Sequence, residues 1–218
     1  MVSTMHIEPL RIDAGKMEMD GVLWLPAEQS GVVVFANGNA GNRVKPPNDY
    51  VASMLRSARL GTLWLDLMPP GEMGSQGRPD INLLTERIGA ACDWLRRNET
   101  TRELPIGLFG ASYGAAAALQ LAAARGRAIS ALVLRGARPD LAGNGTLGKV
   151  SAPTLLIVGG LDDGLIGTNR AAYAALRCKK RFEIIPGATH SFEEPGIPEV
   201  VARLARGWFL QHTDAAHI

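Results

Sequence analysis

The stretch Gly110-Ala111-Ser112-Tyr113-Gly114 sets one serine among small residues, where an apolar run, PIGLF, gives way to an alanine-rich one, AAAALQLAAA. A serine hydroxyl becomes a competent nucleophile only when a base can take its proton. GxSxG between a strand and a helix supplies the other half of that chemistry. A tight turn exposes the hydroxyl, the flanking glycines let strand and helix approach, and the helix N-terminus adds partial positive charge. The Tyr113 N–H can then point at a developing oxyanion. The competing reading of these residues is an N-cap serine between two glycines.

A base is needed, and the chain has four histidines. His6 precedes the sheet, and His212 and His217 fall among the last seven residues, where order is least assured. His190 alone sits in a loop after a late strand, in RFEIIPGATHSFEEPG. That is where the order Ser, Asp or Glu, His puts a catalytic histidine. The acid should stand between them, after the penultimate strand. There TLLIVGG runs into Leu161-Asp162-Asp163-Gly164. Side chains of successive residues leaving a strand point in opposite directions, so only one of Asp162 and Asp163 should reach His190. Either could instead cap a helix expected at about 168–177. Asp140 is a further carboxylate, one strand earlier.

These residues need a frame. Residues 5–13 and 20–26 read as a strand hairpin. From residue 31 apolar strands (31–36, 61–66, 105–109, 129–135, 153–159, 181–185) alternate with helical stretches (about 48–58, 81–97, 112–125, 168–177, 197–211). The expected fold is α/β: a doubly wound, mostly parallel sheet with helices on both faces and an N-terminal antiparallel hairpin. Ligands of such sheets bind beyond the carboxyl ends of the strands, here the loops beginning at Asn37, Asp66, Gly110, Gly136, Gly159 and Pro186. The first of these loops, Asn37-Gly38-Asn39-Ala40-Gly41-Asn42-Arg43, is built of small residues whose backbone N–H groups can approach a substrate oxygen. The Asn39 N–H is expected to be the second oxyanion donor. Arg43 is either a clamp for a substrate carboxylate or the partner of a surface acid such as Asp49. Met68 and Met73 stand in the Gly- and Pro-rich loop 67–80, which is expected either as a flexible pocket wall, with Met68 near the substrate, or as solvent-exposed filler. Only GARPDLAGNGTLGKVSA separates two late strands, too little for a large cap domain.

The 218 residues amount to a single domain, 1–218. Hydrophobic residues are 46% and charged residues 20%, which excludes a wholly disordered chain. A net charge of +2 gives no reason to expect nucleic acid or a membrane surface as partner. Cys92 and Cys178 form neither a disulfide framework nor a zinc motif and suit the cytoplasm. No signal peptide or membrane-spanning run is expected. The oligomeric state stays open, a homodimer included.

Taken together, GASYG at 110–114, GGLDDGL at 159–165 and PGATHSFEEPG at 186–196 resemble the α/β-hydrolase family, and within it the dienelactone hydrolase-like branch. FANGNAGNRVKPPNDYVASML and LDLMPPGE are also similar. The resemblance implies Ser112 as nucleophile, Asp162 as acid, through the pattern GGxD, and His190 as base. Dienelactone hydrolases use a cysteine nucleophile, so Ser112 points to simple esters. Relatives often carry His-Gly where this chain has Asn37-Gly38. Asn37 then contributes an amide that lines the pocket and braces the loop. The expected activity is hydrolysis of carboxylic esters or thioesters on a small molecule, without cofactor or metal. The alternatives are a silent binding module on the same fold, or a thioesterase or peptidase using the same triad.

Overall fold

Val33 and Phe35 pack into one layer of side chains while Val32, Val34 and Ala36 pack into another, the pattern of a strand buried on both faces. The computed structural model describes residues 5–15, 17–37, 46–68, 72 and 78–213. Among them are β1 (His6–Asp13), β2 (Glu18–Leu25), β3 (Gly31–Asn37), β4 (Leu60–Leu65), β5 (Ile106–Ala111), β6 (Ala131–Arg135), β7 (Thr154–Gly159) and β8 (Lys180–Ile185). The helices are α1 (Pro46–Ser57), α2 (Ile81–Arg97), α3 (Tyr113–Arg125), α4 (Asp163–Ala175) and α5 (Ile197–Thr213).

The strands form one sheet in the order β1-β2-β4-β3-β5-β6-β7-β8. β1 and β2 are antiparallel, as are β2 and β4, and every later pairing is parallel. Residues of α1 and α5 cover one face, around Phe35, Phe109 and Phe209. Residues of α2 and α3 cover the other, with the alanines of α3 packed flat on Val34 and Leu108. Small side chains there let α3 lie close to the sheet, which fixes its first turn near the end of β3. Among the described residues no large cap interrupts the sheet order. The β6–β7 connection carries two 3₁₀ turns, Pro139–Leu141 and Leu147–Lys149, and buries Ala142 and Val150 in the core. No helix among the described residues is long and apolar enough to cross a membrane.

One expected element is displaced. The helix expected at about 168–177 begins five residues earlier, at Asp163. Gly164 and Gly167 weaken helical propensity there. Tertiary contact overrides them: buried Asn169 donates from Nδ2 to the Ala137 carbonyl at 3.0 Å and to Leu165 at 2.9 Å.

A buried cation ties Leu67 and Glu72, downstream of β4, to α2. Arg87 of α2 donates to the Leu67 carbonyl at 2.6 Å and, through Nη2, to Glu72 at 2.7 Å, its Nη1 reaching the other carboxylate oxygen. The Arg87 hydrogen bonds hold the Glu72 carboxyl below the usual carboxylate range, against a smaller opposing effect of desolvation. A carboxyl depressed in the folded state stabilises the fold above its unfolded pKa and loses that contribution as pH falls through the folded one. Glu72→Gln should therefore cost about 1–2 kcal/mol near neutral pH, a figure already reduced for the partial exposure of Glu72. Urea melts of the two proteins should converge as the pH drops below the ordinary carboxylate range.

Candidate active site

Ser112 takes the corner between β5 and α3 with φ 50° and ψ −117°, a conformation few non-glycine residues adopt. Its own backbone holds it there. The Ser112 N–H donates to the Arg135 carbonyl of β6 at 3.2 Å, and the Ser112 carbonyl accepts from Ala115 N–H at 3.2 Å and Arg138 N–H at 3.4 Å. The side chain makes no capping bond to α3. Gly114 is required by close approach: a Cβ there would lie 2.0 Å from the Ala36 carbonyl oxygen. The first turn of α3 is thus pressed against the end of β3, at Ala36 and Asn37. Tyr113 is the first helical residue, so its N–H precedes the intrahelical ladder.

His190 and Asp162 meet directly, Nδ1 to Oδ2 at 2.8 Å, with Asp162 14% and His190 52% exposed. Asp163 opens α4 and makes no such contact. Asp162 occupies the N-cap position of α4, yet its side chain makes no cap bond; it faces the histidine instead. The loop that brings them together crosses the end of β7. Gly160 N–H donates to Ile185 at 2.8 Å and Leu161 N–H to Ala188 at 3.0 Å. With Nδ1 engaged, Nε2 is the ring nitrogen left for proton transfer.

The histidine loop is braced from three sides. Thr189 donates from its backbone N–H to the Glu194 carboxylate at 3.0 Å and also from its hydroxyl. Arg135 reaches from the end of β6 to donate from Nη1 to the Ser191 carbonyl at 3.0 Å, with its guanidinium 5.0 Å from the ring centre of buried Phe192. Burial pushes Arg135 down to about 10, which leaves it a cation at neutral pH. Gly136, at φ 52°, lies under the imidazole: a Cβ there would come within 3.2 Å of His190 Cε1 and Nδ1. Ser112, Tyr113, Asp162 and His190 line one cavity of about 500 Å³, together with Arg138, Asp140 and the first turns of α4. A separate hollow of about 540 Å³, walled by Pro9, Val22, Trp24 and Trp64, contains neither Ser112 nor His190.

The remaining expected residues fall differently. Asn37 closes β3, and its Oδ1 accepts from Asn48 Nδ2 of α1 at 3.3 Å, a brace of the kind expected from its amide. Asn39, Arg43 and Met73 lie outside the described residues. Asp49, named as a partner for Arg43, lies 3.9 Å from Arg56. Met68 is a correction. It does not wall the cavity; it is 1% exposed within the α2–α3 core cluster, its sulfur 3.7 Å from Arg87. Its apolar bulk is better satisfied under α2 than at a wet rim. His6 stands 3.5 Å from Glu8 on β1, far more exposed than the core. His212 is buried in α5 edge-on to Trp208, and burial pushes its pKa down. No group of three metal-binding side chains occurs among the described residues. Sequence reasoning marked Gly136 as the start of a loop at the binding edge but gave no role to it, to Arg135 or to Arg138, although Gly-Ala-Arg-Pro straight after a strand was a usable turn signal.

This fold and site define an α/β hydrolase, and the comparisons agree. The crystal structure of a dienelactone hydrolase from Anabaena variabilis is 42% identical, with a TM-score of 0.90 over 95% of this chain and 98% of that one. The chain belongs to the α/β-hydrolase family, in its dienelactone hydrolase-like branch. Est1E from Butyrivibrio proteoclasticus, 16% identical at a TM-score of 0.79 over 94% and 98% of the two chains, shares the fold. A Mycobacterium tuberculosis protein named "Putative phosphoribosyl transferase" is 45% identical over 206 residues, 94% of this chain but 46% of its own length. The chain thus spans about half the length of the curated relatives it matches first. No protein-family model matches it.

The contact at Gly136 yields a test. Gly136→Ala adds a methyl against the imidazole and strains a left-handed residue, so it should cost at least about 1 kcal/mol of stability. Displacing His190 by a fraction of an ångström should lower turnover far more, by roughly 10²-fold. Thermal melts read beside steady-state rates separate the two effects.

Proposed function

We propose that the chain is a serine hydrolase that cleaves carboxylic esters or thioesters of small molecules through an acyl-enzyme on Ser112. The observation that carries this reading is the strained Ser112, its hydroxyl uncommitted to the helix, sharing a cavity with a His190–Asp162 pair at 2.8 Å. His190 Nε2 takes the Ser112 proton as the oxygen attacks the acyl carbon. Asp162 holds the ring in the tautomer with Nδ1–H and stabilises the imidazolium. The tetrahedral oxyanion is met by the Tyr113 N–H and by a second backbone donor, for which Asn39 is our candidate. The alcohol leaves with the proton from His190. Water, deprotonated by the same ring, then releases the acid.

Likeness to a named dienelactone hydrolase and to Est1E supports hydrolysis on this fold. The phosphoribosyl transferase name belongs to proteins of which this chain matches 46% of the length, and it is not carried into this reading. Two free cysteines, one of them buried, fit a reducing compartment, and we take the cytoplasm as the working location. A catalytically silent module remains the rival, and a fluorophosphonate probe decides between them.

Ser112→Ala should abolish labelling and lower ester turnover on the order of 10⁴-fold or more with an unchanged melting curve. Asp162→Asn should cost about 10⁴-fold by inverting the favoured tautomer, as it does in the serine-protease triad, while Asp163→Asn changes turnover little. Retained turnover in Ser112→Ala, measured with an activated acetate, would sink the mechanism.

A further inference from the structure

One wall of the catalytic cavity is made of charge and hydroxyl. Arg138 and Asp140 flank buried Pro139 immediately after β6, and both line the cavity that holds Ser112 and His190. Their side chains grip one another side by side, Nε to Oδ1 at 2.9 Å and Nη2 to Oδ2 at 2.7 Å. The turn that carries them is pinned. The Arg138 N–H donates to the Ser112 carbonyl at 3.4 Å, and the Leu141 N–H donates to the Arg138 carbonyl at 3.0 Å. Thr168 of α4 adds a hydroxyl to the same wall, and Leu165 is the one aliphatic side chain among the described lining residues. Hydrogen bonding between the two raises the arginine pKa and lowers the carboxyl, so both are ionised at neutral pH.

The pair leaves Arg138 Nη1 without a hydrogen bond to any described residue and leaves acceptor capacity on the Asp140 oxygens. Donors and acceptors therefore stand next to each other, 31% and 38% exposed, close to the nucleophile. A substrate carboxylate would gain from Arg138 and be repelled by Asp140. An ammonium group would meet the reverse. An alkyl chain would strip water from two charges and return no hydrogen bond. A hydroxyl both donates and accepts, and two neighbouring hydroxyls match both partners at once. We propose that the Arg138–Asp140 pair is a subsite for a hydroxyl-bearing group, so that the enzyme prefers esters of polyols or sugars to those of plain alcohols. The inference rests on the reading of Ser112 as the nucleophile.

The test compares kcat/KM on 1-acetylglycerol, propyl acetate and propyl hemisuccinate, using the full chain. The first two share the acyl group and a three-carbon alcohol and differ in hydroxyls. The glycerol ester should be preferred by about tenfold or more, because unpaired polar groups in the site penalise the alkyl ester. Arg138→Met and Asp140→Asn should each reduce that ratio by roughly fivefold or more. Circular dichroism melts of both variants establish that they fold. A wild-type ratio near one, or a ratio unchanged in both folded variants, overturns the subsite. Preference for the hemisuccinate overturns it too, since Arg138 would then act as a bare cation. Ser112-dependent turnover without hydroxyl preference removes this inference alone. Turnover of all three esters that is absent or indifferent to Ser112→Ala removes the proposed function along with it.

Discussion

Asp162 stands where a helix begins and turns its carboxylate away from that helix. A residue in the N-cap position ordinarily satisfies the first free N–H groups with its own side chain. Here α4 forgoes that bond, and the oxygen goes to His190 Nδ1 at 2.8 Å. Several other features follow from this single choice. The histidine loop must pass close over the end of β7, which Gly159 permits because a Cβ there would lie 2.5 Å from the Ala188 carbonyl oxygen. The loop must also be stiff enough to present one ring face. Thr189, Glu194, Arg135 and the positive-φ Phe192 supply that stiffness. The residue below the ring must lack a side chain, and it is Gly136.

The serine corner and the histidine loop are joined through one residue of β6. The Arg135 carbonyl accepts the Ser112 N–H, and the Arg135 guanidinium donates to the Ser191 carbonyl. Main chain and side chain of Arg135 thus connect to the two halves of the cavity. The sheet itself sets their separation, since Ala111 and Arg135 are register partners across β5 and β6. Coupling of this kind needs no flexible element, only a strand buried on both faces.

Much of the frame was legible in the sequence, for a physical reason. Strands buried on two faces are continuous apolar runs, and Val32–Ala36 or Leu155–Val158 have no other stable place. The site was legible where a residue type is forced by geometry, as at Ser112 between its glycines and at the pair Gly159–Gly160. The choice between Asp162 and Asp163 was not forced. It depends on where α4 starts, and that start is set by Asn169 reaching the Ala137 carbonyl, a contact without local trace. Met68 misled for a similar reason: its burial comes from α2 and from Arg87, a charged residue inside the core that no hydrophobic pattern announces. Asp140 reads in the sequence only as a further carboxylate, and Arg138 passes without notice, because an arginine and an aspartate two residues apart look like ordinary surface charge until a fold sets them beside a serine.

The short β6–β7 connection has a kinetic meaning. It is folded down onto α3, with Ala142 and Val150 in the core, and raises no roof over His190, half of whose ring is bare to solvent. Once an acyl group sits on Ser112, the acceptor nearest the imidazole is bulk water at its full concentration. Amines and plain alcohols, for which the Arg138–Asp140 wall offers no matched partner, would have to win against that excess without an enclosure among the described residues to hold them. On our proposed mechanism such a site drains its covalent intermediate by hydrolysis and transfers few acyl groups elsewhere, so the partition between hydrolase and transferase is decided by the brevity of one loop.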